Sequence, residues 1–224
     1  DGFDVLQLPD ETYILTGVTT NDEDQSDVIL INVDAYGNEL WNKTFGDSLN
    51  DIGRSVIQCS DGGFIIAGTY TNKDQNQDIY LVKTNSNGET IWEQTIGTEA
   101  NEEGFAIKQT TDGSLIIVGI TDQLNIGNGN PAGQEDIFLM KTTNAGDSLW
   151  TVYFGGPGND FVEDFEIKSD DGYILIGSSN SFSEPGQSGM NMIVIETNSS
   201  GYLLDKLTYG GTNNDYGRSL TILP

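Results

Sequence analysis

Short runs of apolar residues with β-type spacing recur from one end of the chain to the other, separated by turn-rich segments, and no 3.6-residue period competes with them. In the second quarter the runs cover 55–59, 63–70, 78–84 and 89–96, punctuated by Ser60-Asp61-Gly62 and Asn85-Ser86-Asn87-Gly88. Asn87-Gly88 is a hairpin signal, because both residues tolerate the positive φ values of tight turns. The pattern predicts four short antiparallel strands in each unit of roughly 50 residues.

The unit repeats. Asp61-Gly62-Gly63-Phe64-Ile65-Ile66-Ala67-Gly68 aligns with Asp112-Gly113-Ser114-Leu115-Ile116-Ile117-Val118-Gly119, and the segments at 10–17 and 170–177 fall in the same register. Other columns keep phase: Asp27, Asp78, Asp136 and Asn191; Gly37, Gly88, Gly146 and Gly201; Trp41, Trp92, Trp150 and Asp205; Gly46, Gly97, Gly155 and Gly210. Successive glycines of the last column are 51, 58 and 55 residues apart, and the extra length falls between Thr121 and Asp136 and between Ser178 and Asn191. Leucine-rich and hexapeptide solenoids have shorter repeats, and immunoglobulin-like domains need about 100 residues each. The expected fold is therefore all-β, a β-propeller of four-stranded antiparallel blades with repeats at about 2–52, 53–103, 104–162 and 163–216. Residues 217–224 align with 2–9, so they read as the start of a fifth repeat and the chain as one segment of a larger propeller.

These motifs resemble the secreted prokaryotic β-propeller repeats of the D-G-G-Y-I-I-A-G, D-x-Y-L-V-K, G-x-x-x-W and F-G-G kind, and more distantly kelch and quinoprotein propellers. The match spans nearly the whole chain. The resemblance implies a cell-surface or secreted setting, with adhesion or ligand binding as the role. The fourth unit departs from the pattern, with Asp205 in the Trp column and Glu196 where Lys83 and Lys141 stand.

Charge narrows the partners. With 35 acidic and 9 basic residues the formal charge is -26, so the field repels nucleic acid and anionic membranes, and no Lys/Arg cluster exists to neutralise phosphates. No apolar stretch approaches the roughly 18 residues of a membrane helix, and Asp1-Gly2-Phe3-Asp4 does not resemble a signal peptide, as expected of a secreted protein after processing. The absence of histidine removes the commonest general base and transition-metal ligand. The lone Cys59, within a strand-like run, reads as a buried structural thiol.

Four groups of residues are candidates for chemistry. The Trp column suits packing between blades. Asn50-Asp51 recurs as Asn101-Glu102, Asn159-Asp160 and Asn214-Asp215 before the next inner strand. By analogy with kelch propellers Asp51, Glu102, Asp160 and Asp215 would lie near the channel mouth, either as a cation-attracting ring or as acceptors of backbone N–H groups in a tight turn. The acidic loop at 21–27 offers Asp22, Asp24 and Asp27 as oxygen ligands for Ca²⁺, although it lacks the glycine and terminal glutamate of an EF-hand and only Asp27 has counterparts in other units. The insertion at 121–136, rich in glycine and carrying Asn125 and Asn128, exceeds what a blade needs and is the candidate binding loop. The sequons Asn42-Lys43-Thr44 and Asn198-Ser199-Ser200 permit glycosylation without requiring it.

Together these features predict an extracellular or cell-surface interaction module, not an enzyme, that binds a glycan or a surface protein through loops on one face. Further blades of a longer chain or neighbouring subunits are the other partners expected. Two alternatives are a glycan-active or cofactor-dependent propeller enzyme, which would need a non-repeated cluster of acids and aromatics at the channel mouth, and a structural subunit of a surface filament.

Overall fold

The computed structural model describes residues 1–20, 25–122, 135–182 and 188–223. Sixteen strands are found among them. The first unit of the repeat contains β1 (Gly2–Gln7), β2 (Tyr13–Thr20), β3 (Ser26–Val33) and β4 (Glu39–Phe45), and the second β5 (Ile52–Gln58), β6 (Phe64–Thr71), β7 (Gln77–Thr84) and β8 (Thr90–Ile96). The third has β9 (Glu102–Gln109), β10 (Leu115–Thr121), β11 (Asp136–Thr142) and β12 (Ser148–Phe154), and the fourth β13 (Asp160–Ile167), β14 (Tyr173–Ser179), β15 (Asn191–Thr197) and β16 (Leu203–Tyr209). They form four four-stranded sheets in which each strand lies beside its neighbour in sequence. By compactness the chain divides into two units, Asp1–Gln109 and Thr110–Pro224.

The central strands show why their sequences are apolar almost throughout. β6 and β10 are buried along nearly their whole length, since blades packed face to face cover both sides of a sheet. β3 and β15 instead alternate between buried and half-buried positions. Within Asp1–Gln109 the core joins Ile14, Val28, Leu30 and Phe45 of one blade to Val56, Phe64, Ile66, Tyr80 and Val82 of the next. Cys59 is buried there as a free thiol whose pKa burial raises.

The outer hairpins differ from the expected tight turn. Gly88 has φ 76, but Asn87 is not in the left-handed region, and the turn is held by Asn85, whose side-chain oxygen accepts from the N–H groups of Asn87 and Glu89 at 2.9 and 3.0 Å. Asp34, Thr143 and Asn198 cap the corresponding turns in the same way.

The Trp column packs between blades as expected. The Trp41 ring lies 6.4 Å from Phe64, and Trp150 lies 6.2 Å from Tyr173. A Cβ on Gly88 would stand 2.7 Å from Trp41, and one on Gly201 would stand 3.0 Å from Trp150. The glycine and tryptophan columns are thus two sides of one contact.

In the lysine column Lys83 pairs with Asp61 and Lys141 with Asp112, at 2.8 and 3.0 Å. The fourth unit reverses the polarity: Glu196 receives Lys168 at 2.6 Å, and the same lysine reaches Asp170 at 3.1 Å. Residues 217–223 form no strand of their own, although the Gly217 N–H donates to the Gly177 carbonyl at 3.2 Å. Ser219 and Leu220 also donate to Asp164, as Ser55 and Val56 donate to Asp4.

Candidate functional site

The face carrying the second-to-third-strand loops also carries the turns between blades, because four up-and-down strands bring both connections to the same end. On this face the Asn-Asp pairs form clasps. The Asn50 side chain accepts from the Ser26 N–H at 3.0 Å, while the Asp51 N–H donates to the Ser26 carbonyl at 2.6 Å. The fourth unit repeats this with Asn214, Asp215 and Met190, at 3.0 and 2.7 Å. Asn101 accepts from Gln77 at 2.9 Å, and Asp160 donates to the Glu135 carbonyl at 2.7 Å.

The carboxylates complete the clasps. Asp51, fully buried, accepts from the N–H groups of Asp47 and Thr71, both at 3.0 Å, so one side chain closes its own turn and fastens it to the next blade. Glu102, in place of aspartate, accepts from the Thr98 N–H at 2.9 Å and its hydroxyl at 2.7 Å. Asp160 accepts from the Gly156 N–H at 2.9 Å and from the hydroxyls of Ser179 and Ser181, and Asp215 from the Gly211 N–H at 2.9 Å. Each carboxylate takes at least one donor from its own turn, and Asp51 and Asp160 take others from the end of the second strand and the residues after it. Of the two roles open from sequence, acceptance of backbone N–H groups is the one this geometry displays.

Burial sets the electrostatics of the clasps. Desolvation pushes Asp51 up to about 6 against the pull of its two backbone hydrogen bonds, with the Asp47 and Asp27 charges adding to the rise. Desolvation also raises Asp160, opposed by its serine and backbone donors.

The recurring aspartates at the start of the third strand have a packing role that the repeat alone did not reveal. A Cβ on Gly97 would lie 1.9 Å from Asp78, one on Gly155 1.7 Å from Asp136 and one on Gly210 2.2 Å from Asn191. A bare Cα is the condition for this close approach. The Asp78 carboxylate also takes the Asn72 amide at 3.1 Å, while Asn72 caps its own loop by accepting from Asp74 and Asn76.

Asp27 stands opposite Thr19 at the start of β3, whereas Asp22 and Asp24, its partners in the candidate calcium loop, lie outside the described residues, as do Asn125 and Asn128. Among the described residues no three His, Cys, Asp or Glu side chains gather in a way that could hold a metal ion.

No protein-family model matches the chain. Regulatory protein FlaEY of Caulobacter vibrioides is 23% identical over 173 residues, which is 69% of this chain but only 18% of that protein. A protein of unknown function from Bacteroides caccae aligns over 87% of this chain and 82% of its own length, with 12% identity and a TM-score of 0.35. The WD40 domain of Neurospora crassa Pan2 superposes over 93% of this chain and 66% of its own, with 10% identity and a TM-score of 0.52. The sixteen strands in four antiparallel sheets and this superposition establish the fold as that of a β-propeller, built of four-stranded blades.

Proposed function

We propose that this chain is a non-catalytic interaction module of the cell surface or extracellular space, and that it binds a glycan or a protein through the loops of one propeller face. The observation that carries the reading is the division of labour on that face. The clasps hold each blade to the next by hydrogen bonds, while length varies only in the second-to-third-strand connection, which is short between β2 and β3 and between β6 and β7 but runs from Thr121 to Asp136 between β10 and β11. A scaffold that fixes its turns and frees one loop position suits recognition rather than bond making. The secreted prokaryotic propeller repeats that the chain resembles supply the setting.

The test is a screen of the 224-residue chain against immobilised glycans and surface proteins, run beside a variant in which 124–134 is replaced by Asn-Gly. The variant should melt within a few degrees of the parent, because loop-closure entropy depends weakly on length, and should lose binding. Retained binding would move the site away from that loop, and an absence of any glycan or protein partner would remove the reading.

A further inference from the structure

A groove lies between the outer strands of the third and fourth blades. Between β12 and β16 a cavity of about 480 Å³ is lined by Val152, Tyr153, Phe154, Phe182, Tyr202 and Leu203, with Thr151 at its wall and Lys206 as the single charged side chain of the lining. The Lys206 ammonium stands 3.1 Å from the centre of the Phe182 ring. Desolvation lowers its pKa, although the Asp160 charge pulls the other way.

Between β4 and β8 of the first two blades the space is about 260 Å³ and is lined by Gly46, Asp47, Tyr70, Tyr80, Glu93, Gln94 and Thr95. There Tyr70 donates to Asp47 at 2.9 Å and Tyr80 to Glu93 at 2.6 Å, the two rings packing 5.4 Å apart. In the repeat register Gly155 occupies the column of Gly46, Gly156 that of Asp47, Ser179 that of Tyr70, Ile193 that of Tyr80 and Lys206 that of Glu93. Neither tyrosine and neither acid recurs at the equivalent positions of the third and fourth blades, where the glutamate has become a lysine. Of these positions Gly155 and Lys206 line the groove, so its one acid-to-base change, glutamate to lysine, places an ammonium at its wall in a chain with only 9 basic residues. Of these changes Ser179 joins the Asp160 clasp by its side chain, donating its hydroxyl to the carboxylate, whereas Lys206 faces the groove.

We propose that this groove binds an acidic sugar, a hexuronate residue of a glycan, an assignment that rests on the glycan branch of the proposed function. The flat C–H face of a pyranose stacks on aromatic rings, as Phe154, Tyr153 and Tyr202 offer. Its hydroxyls find the Thr151 hydroxyl, and its carboxylate takes a charge-assisted hydrogen bond from the ammonium of Lys206. The cavity volume lies within the range of about 300–1,000 Å³ usual for small-ligand sites, and the apolar walls with one convergent polar group are the usual composition of such sites.

The test is calorimetric titration of the whole chain with sodium glucuronate, glucose and sodium benzoate. Glucuronate should bind, glucose at least about tenfold more weakly for want of the carboxylate, and Lys206→Met should weaken glucuronate by about tenfold while Lys206→Arg largely retains it. Phe182→Ala should weaken it too, and the melting temperature of each variant reports whether it folds. Absence of glucuronate binding to the parent chain, equal binding by Lys206→Met, or benzoate binding in place of glucuronate would each overturn the assignment. If a glycan found in the screen still binds Lys206→Met, the module reading stands and this groove falls. If the screen finds none while free glucuronate binds through Lys206, the groove stands and the loop-face reading falls.

Discussion

At the scale of the residue, the repeat columns are contacts rather than isolated preferences. Asp51 links burial to pH. Its pKa in the fold, about 6, exceeds the ordinary carboxylate value, so its contribution to stability is fully present below the ordinary value and is lost as pH rises through 6. Asp51→Asn does not ionise. The stability of the parent relative to that variant should therefore fall between about pH 4 and pH 7, as read from urea midpoints at each pH. A pH-independent difference would show that Asp51 titrates normally. Trp150, half-buried against Tyr173 and Gly201, should cost about 3 kcal/mol when changed to alanine, near the lower end for large aromatics. The exposed Asp205 in the same column should change stability by less than about 0.5 kcal/mol. Equal losses in urea unfolding would place the Trp column outside the packing.

At the scale of the element, each outer strand carries a bulge at the same place. The register slips between Asn32 and Val33, Lys83 and Thr84, Lys141 and Thr142, and Glu196 and Thr197. The extra residue is Leu40, Ile91, Leu149 or Leu204, each more than half exposed. These strands are sheet edges, and a bulge twists an edge away from pairing with another chain. Deleting Ile91 should regularise β8 and promote association, seen as a rise in light scattering at concentrations where the parent stays monodisperse. Ile91→Thr, which keeps the bulge, should behave as the parent. The alternation of β-type and turn residues made all sixteen strands legible, because period and punctuation are local properties. The bulges were not legible, since an exposed leucine in an edge strand looks like any apolar strand residue until its partner strand is known. The hairpin at Asn87-Gly88 was legible from its composition, whereas the capping role of Asn85 shows only in its hydrogen bonds to Asn87 and Glu89.

At the scale of the whole molecule, the charge of -26 makes self-repulsion a standing cost that salt relieves. Raising NaCl from about 10 to about 150 mM shortens the screening length from about 30 to about 8 Å and should raise the melting temperature by a few degrees at pH 7. A melting temperature that falls or stays level would mean that the ion pairs of Lys83, Lys141 and Lys168 outweigh the repulsion. The sequence by itself determined the fold class, the four-stranded unit, the packing place of the tryptophans and the burial of Cys59, because a repeated unit states its own contacts several times over. Only the tertiary structure decided what the acids do. From sequence Asp51, Glu102, Asp160 and Asp215 could face a channel or a backbone, and the donors that hold Asp51 and Asp160 include Thr71, Ser179 and Ser181, residues some 20 positions away. The groove around Lys206 was hidden for the same reason. Its walls come from two blades, and the change from Glu93 to Lys206 in one column has meaning only once the side chains around Lys206 are seen to line one space.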